Sequence, residues 1–204
     1  MTASILTTLF NWAKAKYSLP AGVKDPHRVY LPFTMQYQMM DNWCWAAVAS
    51  SVAFHFDEES MWTQPELAAE AFGYSEADLP DASWDKEYHL VHAFNFVGCL
   101  REVLTGHVGF RMVLDELRNG RPVCLHIDWK NGKGHAVAIT GCWVDSMDTK
   151  HYRVDDPGLR EEDYGDFWDE IREIPERQLM TRYMNVGTWR NTFLVEQPIV
   201  DYVE

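Results

Sequence analysis

The chain has 204 residues, 47% of them hydrophobic, and a formal net charge of −13, a composition that suits one globular domain with a substantial core. The negative charge argues against nucleic acid and against anionic membrane surfaces, both of which reward basic patches. The four cysteines, at 44, 99, 124 and 142, have no CxxC spacing, which disfavours zinc-ribbon and thioredoxin chemistry, and a chain this long needs no disulfide framework.

Met1 to Phe10 lacks the basic and apolar regions of a signal peptide, and no apolar run is long enough to span a bilayer. The chain therefore reads as cytoplasmic, or as secreted without a cleaved signal. Residues 1–30 are expected to form an arm or a short pro-segment, with a helix near Ile5–Tyr17 and then a loop containing Pro20, Gly22 and Pro26. Residues 31–204 are expected to form the main domain.

From Asn42 to Phe56 there is no Gly, Pro or charge. Trp45, Val48, Ala49, Val52 and Phe56 fall at helical spacing, and Cys44, Ala47 and Phe54 make the opposite side apolar too, which predicts a buried helix. Asp41 or Asn42 is placed to cap it. Thr63 caps a second predicted helix, Pro65–Phe72. Residues 73–105 carry no clear pattern. A third helix is expected over Phe110–Arg118, ending at Asn119-Gly120.

Beyond it the pattern turns to strands: RPVCLHIDW, the turn NGKG, HAVAITGCWV, the turn DSMDT, and HYRVDD before Pro157-Gly158. Glu161–Glu173 is strongly acidic, with Phe167, Trp168 and Ile171 expected to pack one helical turn. A late strand, Trp189–Glu196, closes the sheet. Helices followed by an antiparallel sheet define an α+β domain with a central buried helix.

Cys44 lies at the start of the first helix, where unpaired N–H groups and the helix dipole favour a thiolate nucleophile over a thiol. Such a nucleophile needs a base that also protonates the leaving amine. His55, eleven residues along the same helix, is about 16 Å away and too far. His126 reads as a core histidine. His89 and His92 have no supporting ligand pattern for a metal. His135 follows Gly132-Lys133-Gly134 at the first position of an apolar strand, where it can face a cleft. The hairpin that starts there returns to Asp155 and Asp156, either of which can orient the imidazole. Gln38, on the approach to the helix, can donate to an oxyanion beside the Cys44 N–H.

The segment QYQMMDNWCWAAVASS, with Gly134-His135-Ala136-Val137 and Asp156-Pro157 downstream, resembles the papain-like cysteine proteases. It is most similar to their bacterial branch, which includes staphopain-like enzymes, effector proteases of plant pathogens and bacteriocin-processing peptidases. The resemblance covers about residues 31–195, and residues 57–105 depart from it. It implies a papain-like fold and a cysteine endopeptidase acting on a protein or peptide, with Cys44 as nucleophile, His135 as base, Asp156 orienting it and Gln38 in the oxyanion hole. Asp156, directly before a proline that ends the strand, is the chosen aspartate, and Asp155 is left to solvent or nearby backbone. No cofactor, metal or nucleic acid is expected. Amide transfer or deamidation of the transglutaminase kind, and a catalytically silent binding protein, are the alternatives. Substrate specificity and oligomeric state are not encoded in these motifs.

Overall fold

The uncharged run after Asn42 does form a buried helix, α1 (Cys44–Phe56), with Trp45 to Ala53 inside. The structure, a computed structural model, describes residues 28–75 and 81–198, so the helix expected near Ile5–Tyr17 lies outside the described residues. Neither Asp41 nor Asn42 caps α1. Trp43 is the N-cap residue and its indole, a donor only, makes no side-chain cap bond, while the Asn42 N–H and amide are both taken by Asp85. Phe54, expected inside, is 43% exposed.

Helix α2 (Gln64–Phe72) opens on a full capping box between Thr63 and Glu66, with proline in its first turn, and stops at left-handed Gly73. The stretch without pattern holds a 3₁₀ turn (Ala82–Trp84), α3 (Leu90–Phe96) and an edge strand, β2 (Leu100–Thr105). Helix α4 (Phe110–Arg118) follows where its periodicity places it.

The sheet has seven strands: β1 (Val29–Tyr30), β2, β3 (Val123–Trp129), β4 (Gly134–Val144), β5 (Lys150–Asp155), β6 (Glu173–Pro175) and β7 (Gly187–Val195). The order is β2-β7-β3-β4-β5-β6, all antiparallel, with β1 joining β4. Val29 and Tyr30, at the end of the expected arm, thus belong to the sheet. The acidic stretch breaks into short helices, α5 (Glu161–Tyr164), a 3₁₀ turn and α6 (Trp168–Arg172). Phe167, expected to pack, is 66% exposed. Helix α7 (Glu176–Arg182) leads into β7.

Strand alternation sends the side chains to two cores. Cys124, Ala136, Ala138 and Phe193 face α1, α2 and α3. Leu125, Ile127, Val137 and Ile139 face α4 and α7 on the other side. Among the described residues, no helix is long and apolar enough to cross a membrane. This mixture of helices and antiparallel sheet is the α+β, papain-like arrangement.

Candidate active site

The segment before α1 is held down by three buried polar side chains. Ser51 Oγ accepts the Gln36 N–H, and Ser50 Oγ accepts from the Gln36 amide. Gln64 accepts the Met39 N–H through Oε1 and donates to the Tyr37 carbonyl through Nε2. The two tryptophans that flank Cys44 are pinned from above. Trp43 Nε1 donates to the Trp84 carbonyl at 2.9 Å, and Trp45 Nε1 to the Lys86 carbonyl at 3.0 Å. Between these anchors Cys44 is the first residue of α1 and is partly accessible, whereas Cys99, Cys124 and Cys142 are buried.

His135 is the second residue of β4, paired with Ile127. Its Nε2 donates to Asp156 Oδ1 at 2.7 Å. That leaves Nδ1 uncommitted, and Cys44 lies near enough to the ring to raise its pKa. Burial alone would push the imidazole pKa down, but the Asp156 carboxylate outweighs it, with a smaller contribution from Cys44, and lifts it to about 10. Burial likewise works to raise the Asp156 pKa, and the His135 charge together with three donors holds it below the ordinary value. Trp129 stacks on the imidazole with ring centres 5.5 Å apart, so this pair is shielded from water.

Register decides between the two aspartates. Pairing runs from Val144 opposite Lys150 to Gly141 opposite Arg153, then steps to Ile139 opposite Val154, so Thr140 is skipped as a bulge. Asp155 therefore lies opposite Ala138, and Asp156 comes onto the face of Val137 and His135. The expectation for Asp155 was different from what is found. It is buried rather than solvated, accepts from Thr140 Oγ1 at 2.7 Å and pairs with Arg172 at 3.1 Å. Burial raises its pKa to about 6, against the opposing pull of Arg153 and the Thr140 bond.

Gln38 arrives beside this pair because its N–H donates to the Pro157 carbonyl at 2.9 Å. Its side-chain amide donates to the carbonyls of Met40 at 3.0 Å and Asp41 at 2.8 Å, while its Oε1 is buried without a partner. His55 is bonded to the Gly120 carbonyl at the far end of α1. His126 is not a core histidine: it is half-exposed, lies 3.8 Å from Asp128 and rests over Gly134, where a Cβ would come within 2.3 Å of its ring. No group of three or more metal-ligating side chains is found among the described residues.

Three contributors had no signal in the sequence. Tyr183 donates its hydroxyl to Asp156 Oδ2 at 2.6 Å, Trp129 covers His135, and Asp85 holds the turn before Cys44. Tyr183 and Asp85 reach their partners across 27 and 43 residues, whereas Trp129 reaches His135 across the β3–β4 turn.

A crystal structure of a protein described as a C39-like peptidase, from Bacillus anthracis, superposes with a TM-score of 0.52 over 84% of this chain and 98% of that one. At 15% identity the likeness is one of fold. No curated protein matches the chain significantly. The sequence model of the family described as papain-like cysteine protease AvrRpt2 matches residues 26–165, which include Gln38, Cys44, His135 and Asp156 as well as the stretch 57–105. That match spans well over half of the chain, and the chain belongs to the papain-like cysteine protease AvrRpt2 family.

Proposed function

We propose that the chain is an endopeptidase that cleaves a protein or peptide through a Cys44–His135–Asp156 triad. The observation that carries this reading is the bonding of His135: Nε2 is committed to Asp156, and the other ring nitrogen is left for a partly accessible cysteine at a helix start.

In the first half-reaction the Cys44 sulfur attacks the scissile carbonyl carbon, and the carbonyl π electrons move onto oxygen. His135, protonated through Nδ1, gives that proton to the leaving amine as the C–N bond breaks. A thioester on Cys44 remains. In the second half-reaction His135 takes a proton from water, the hydroxide oxygen attacks the thioester, and the carboxylic acid leaves as Cys44 and His135 regain their starting forms. Asp156 keeps the ring oriented and balances the imidazolium charge. The backbone N–H of Cys44 and the amide of Gln38 serve the oxyanion. For this, Gln38 exchanges one of its two carbonyl partners for the substrate oxygen, the Met40 bond being the longer.

Profiling a peptide library with wild type against Cys44→Ala tests the reading. Cleavage that disappears in Cys44→Ala supports it. Release of ammonia from glutamine substrates without chain cleavage would replace it with deamidation. Gln38→Ala should lower kcat by about 10²–10³ with KM nearly unchanged, as expected for the loss of one oxyanion donor.

A further inference from the structure

Asp156 is a buried carboxylate that accepts three hydrogen bonds, of which only the one from His135 carries charge. Gly158 N–H joins His135 on Oδ1, both at 2.7 Å. Oδ2 is held by Tyr183 at 2.6 Å. A carboxylate with one oxygen on the imidazole and nothing on the other can rotate about its Cβ–Cγ bond, so the tyrosine hydroxyl fixes which oxygen faces the histidine.

The segment that carries Tyr183 is built as a rigid support. Tyr183 and Gly187 exchange backbone bonds at 3.0 and 2.7 Å, closing a tight turn over Met184, Asn185 and Val186. Met184 and Asn185 both take left-handed backbone, with φ of 46° and 70°. For methionine this is an uncommon and costly conformation, retained only where the surroundings impose it. Gly187 lies opposite Trp129, and a Cβ on it would come within 2.8 Å of the indole ring. Trp129 in turn stacks on Tyr183 with ring centres 6.1 Å apart, and on His135. One indole therefore ties the Tyr183 ring to the imidazole whose partner Tyr183 holds. Tyr183 and its turn lie beyond residue 165, where the family match ends, whereas Trp129 and Asp156 lie within it.

We propose that Tyr183 is a positioning residue for the Asp156–His135 pair, fixing the carboxylate from the side away from the imidazole. The proposal rests on the triad reading above. Tyr183→Phe keeps the ring and its stacking and removes only the donor. With active sites counted by covalent labelling of Cys44, kcat should fall at least tenfold at unchanged KM. The same change made in an Asp156→Asn background should cost less than twofold, because the two residues act through one pair. A hydrogen bond from Tyr183 is needed most when His135 is neutral and Asp156 stands as an uncompensated anion. A more acidic phenol, 3-fluorotyrosine at position 183, should therefore lower the His135 titration followed by NMR.

A wild-type kcat in Tyr183→Phe, equal losses in both backgrounds, or an unmoved His135 titration in the fluorinated protein each overturns the proposal. Should Tyr183→Phe fail to fold, the fluorinated protein, which keeps the ring and hydroxyl, decides. If the wild type hydrolyses nothing, the triad reading fails, and the NMR titration, which needs no turnover, still decides the role of Tyr183.

Discussion

The Asp85 carboxylate accepts the backbone N–H of Asn42 at 2.7 Å, two residues ahead of Cys44. With the carbonyls of Trp84 and Lys86 holding the indoles of Trp43 and Trp45, three consecutive residues fasten the turn that presents the nucleophile. Asp85→Ala should leave the Asn42 N–H unpaired and cost about 1–3 kcal/mol, the range for a partly buried donor stripped of a charged partner. Asp85→Asn keeps an acceptor and should lose less. Denaturant midpoints of the two variants check the order; equal losses would mean that packing, and not this bond, holds the turn.

Thiol chemistry should be confined to one site. Cys99 and Cys142 are buried, with pKa values pushed up to about 12, and burial pushes Cys124 higher still. An epoxysuccinyl peptide applied to the native protein near neutral pH should add a single label, on Cys44. Intact-mass measurement followed by peptide mapping gives the answer. Labelling of any of the other three in folded protein would contradict the burial described.

The pH dependence follows from His135. Its folded-state pKa lies near 10 against an ordinary 6.5, because Asp156 outweighs burial. The stability contributed by the protonated ring is therefore fully present below about 6.5 and is lost as pH rises through about 10. The leaving amine needs the same proton, so kcat/KM should fall over an alkaline limb near pH 10. Asp156→Asn removes the largest raising influence and leaves burial opposed only by the smaller effect of Cys44. Its limb should move down by several pH units, toward or below 6.5. A limb that stays in place would assign it to another group.

Adjacent aspartates should give opposite phenotypes. Asp155→Ala strips Thr140 and Arg172 of a buried partner and should destabilise by about 3 kcal/mol or more, while kcat per labelled Cys44 stays within a few fold. Asp156→Ala should lower kcat strongly at nearly unchanged KM. Melting curves paired with rates normalised to labelled sites separate the two. A strong kcat loss from Asp155→Ala would show that the ion pair is coupled to the site.

What the sequence revealed of the site, and what it hid, follow from the range of the interactions. Helix α1 was legible because fifteen residues without Gly, Pro or charge leave few other places for them. The β4–β5 hairpin was legible from its alternation and its turn, and it carries both His135 and Asp156. Tyr183 lies 27 residues from Asp156, and Asp85 lies 43 from Asn42, so neither leaves a local pattern. Strand β2 was missed because Arg101, Glu102 and Leu104 sit on an edge where both faces are partly wet. Asp155 was misplaced because its acceptors' partners, Thr140 and Arg172, come from a bulge and a short helix that alternation does not record.

The skipped Thr140 makes the identity of the histidine's acid a matter of reading frame. Drawing that residue into regular pairing opposite Val154, with the Asp145–Thr149 turn kept, would realign Asp155 with Ile139 and exchange the faces of the two neighbours, whereas excising it would leave Asp155 opposite Ala138. With Thr140 so paired, the acid now bound to Arg172 would come onto the face that carries the imidazole. Point substitution at most other positions of the hairpin leaves that frame intact, whereas insertion or deletion within the paired residues does not. The hairpin is thus far more vulnerable to indels than to mismatches. Homologues that pair the residue at the bulge instead of skipping it should change which of two consecutive acids faces the histidine.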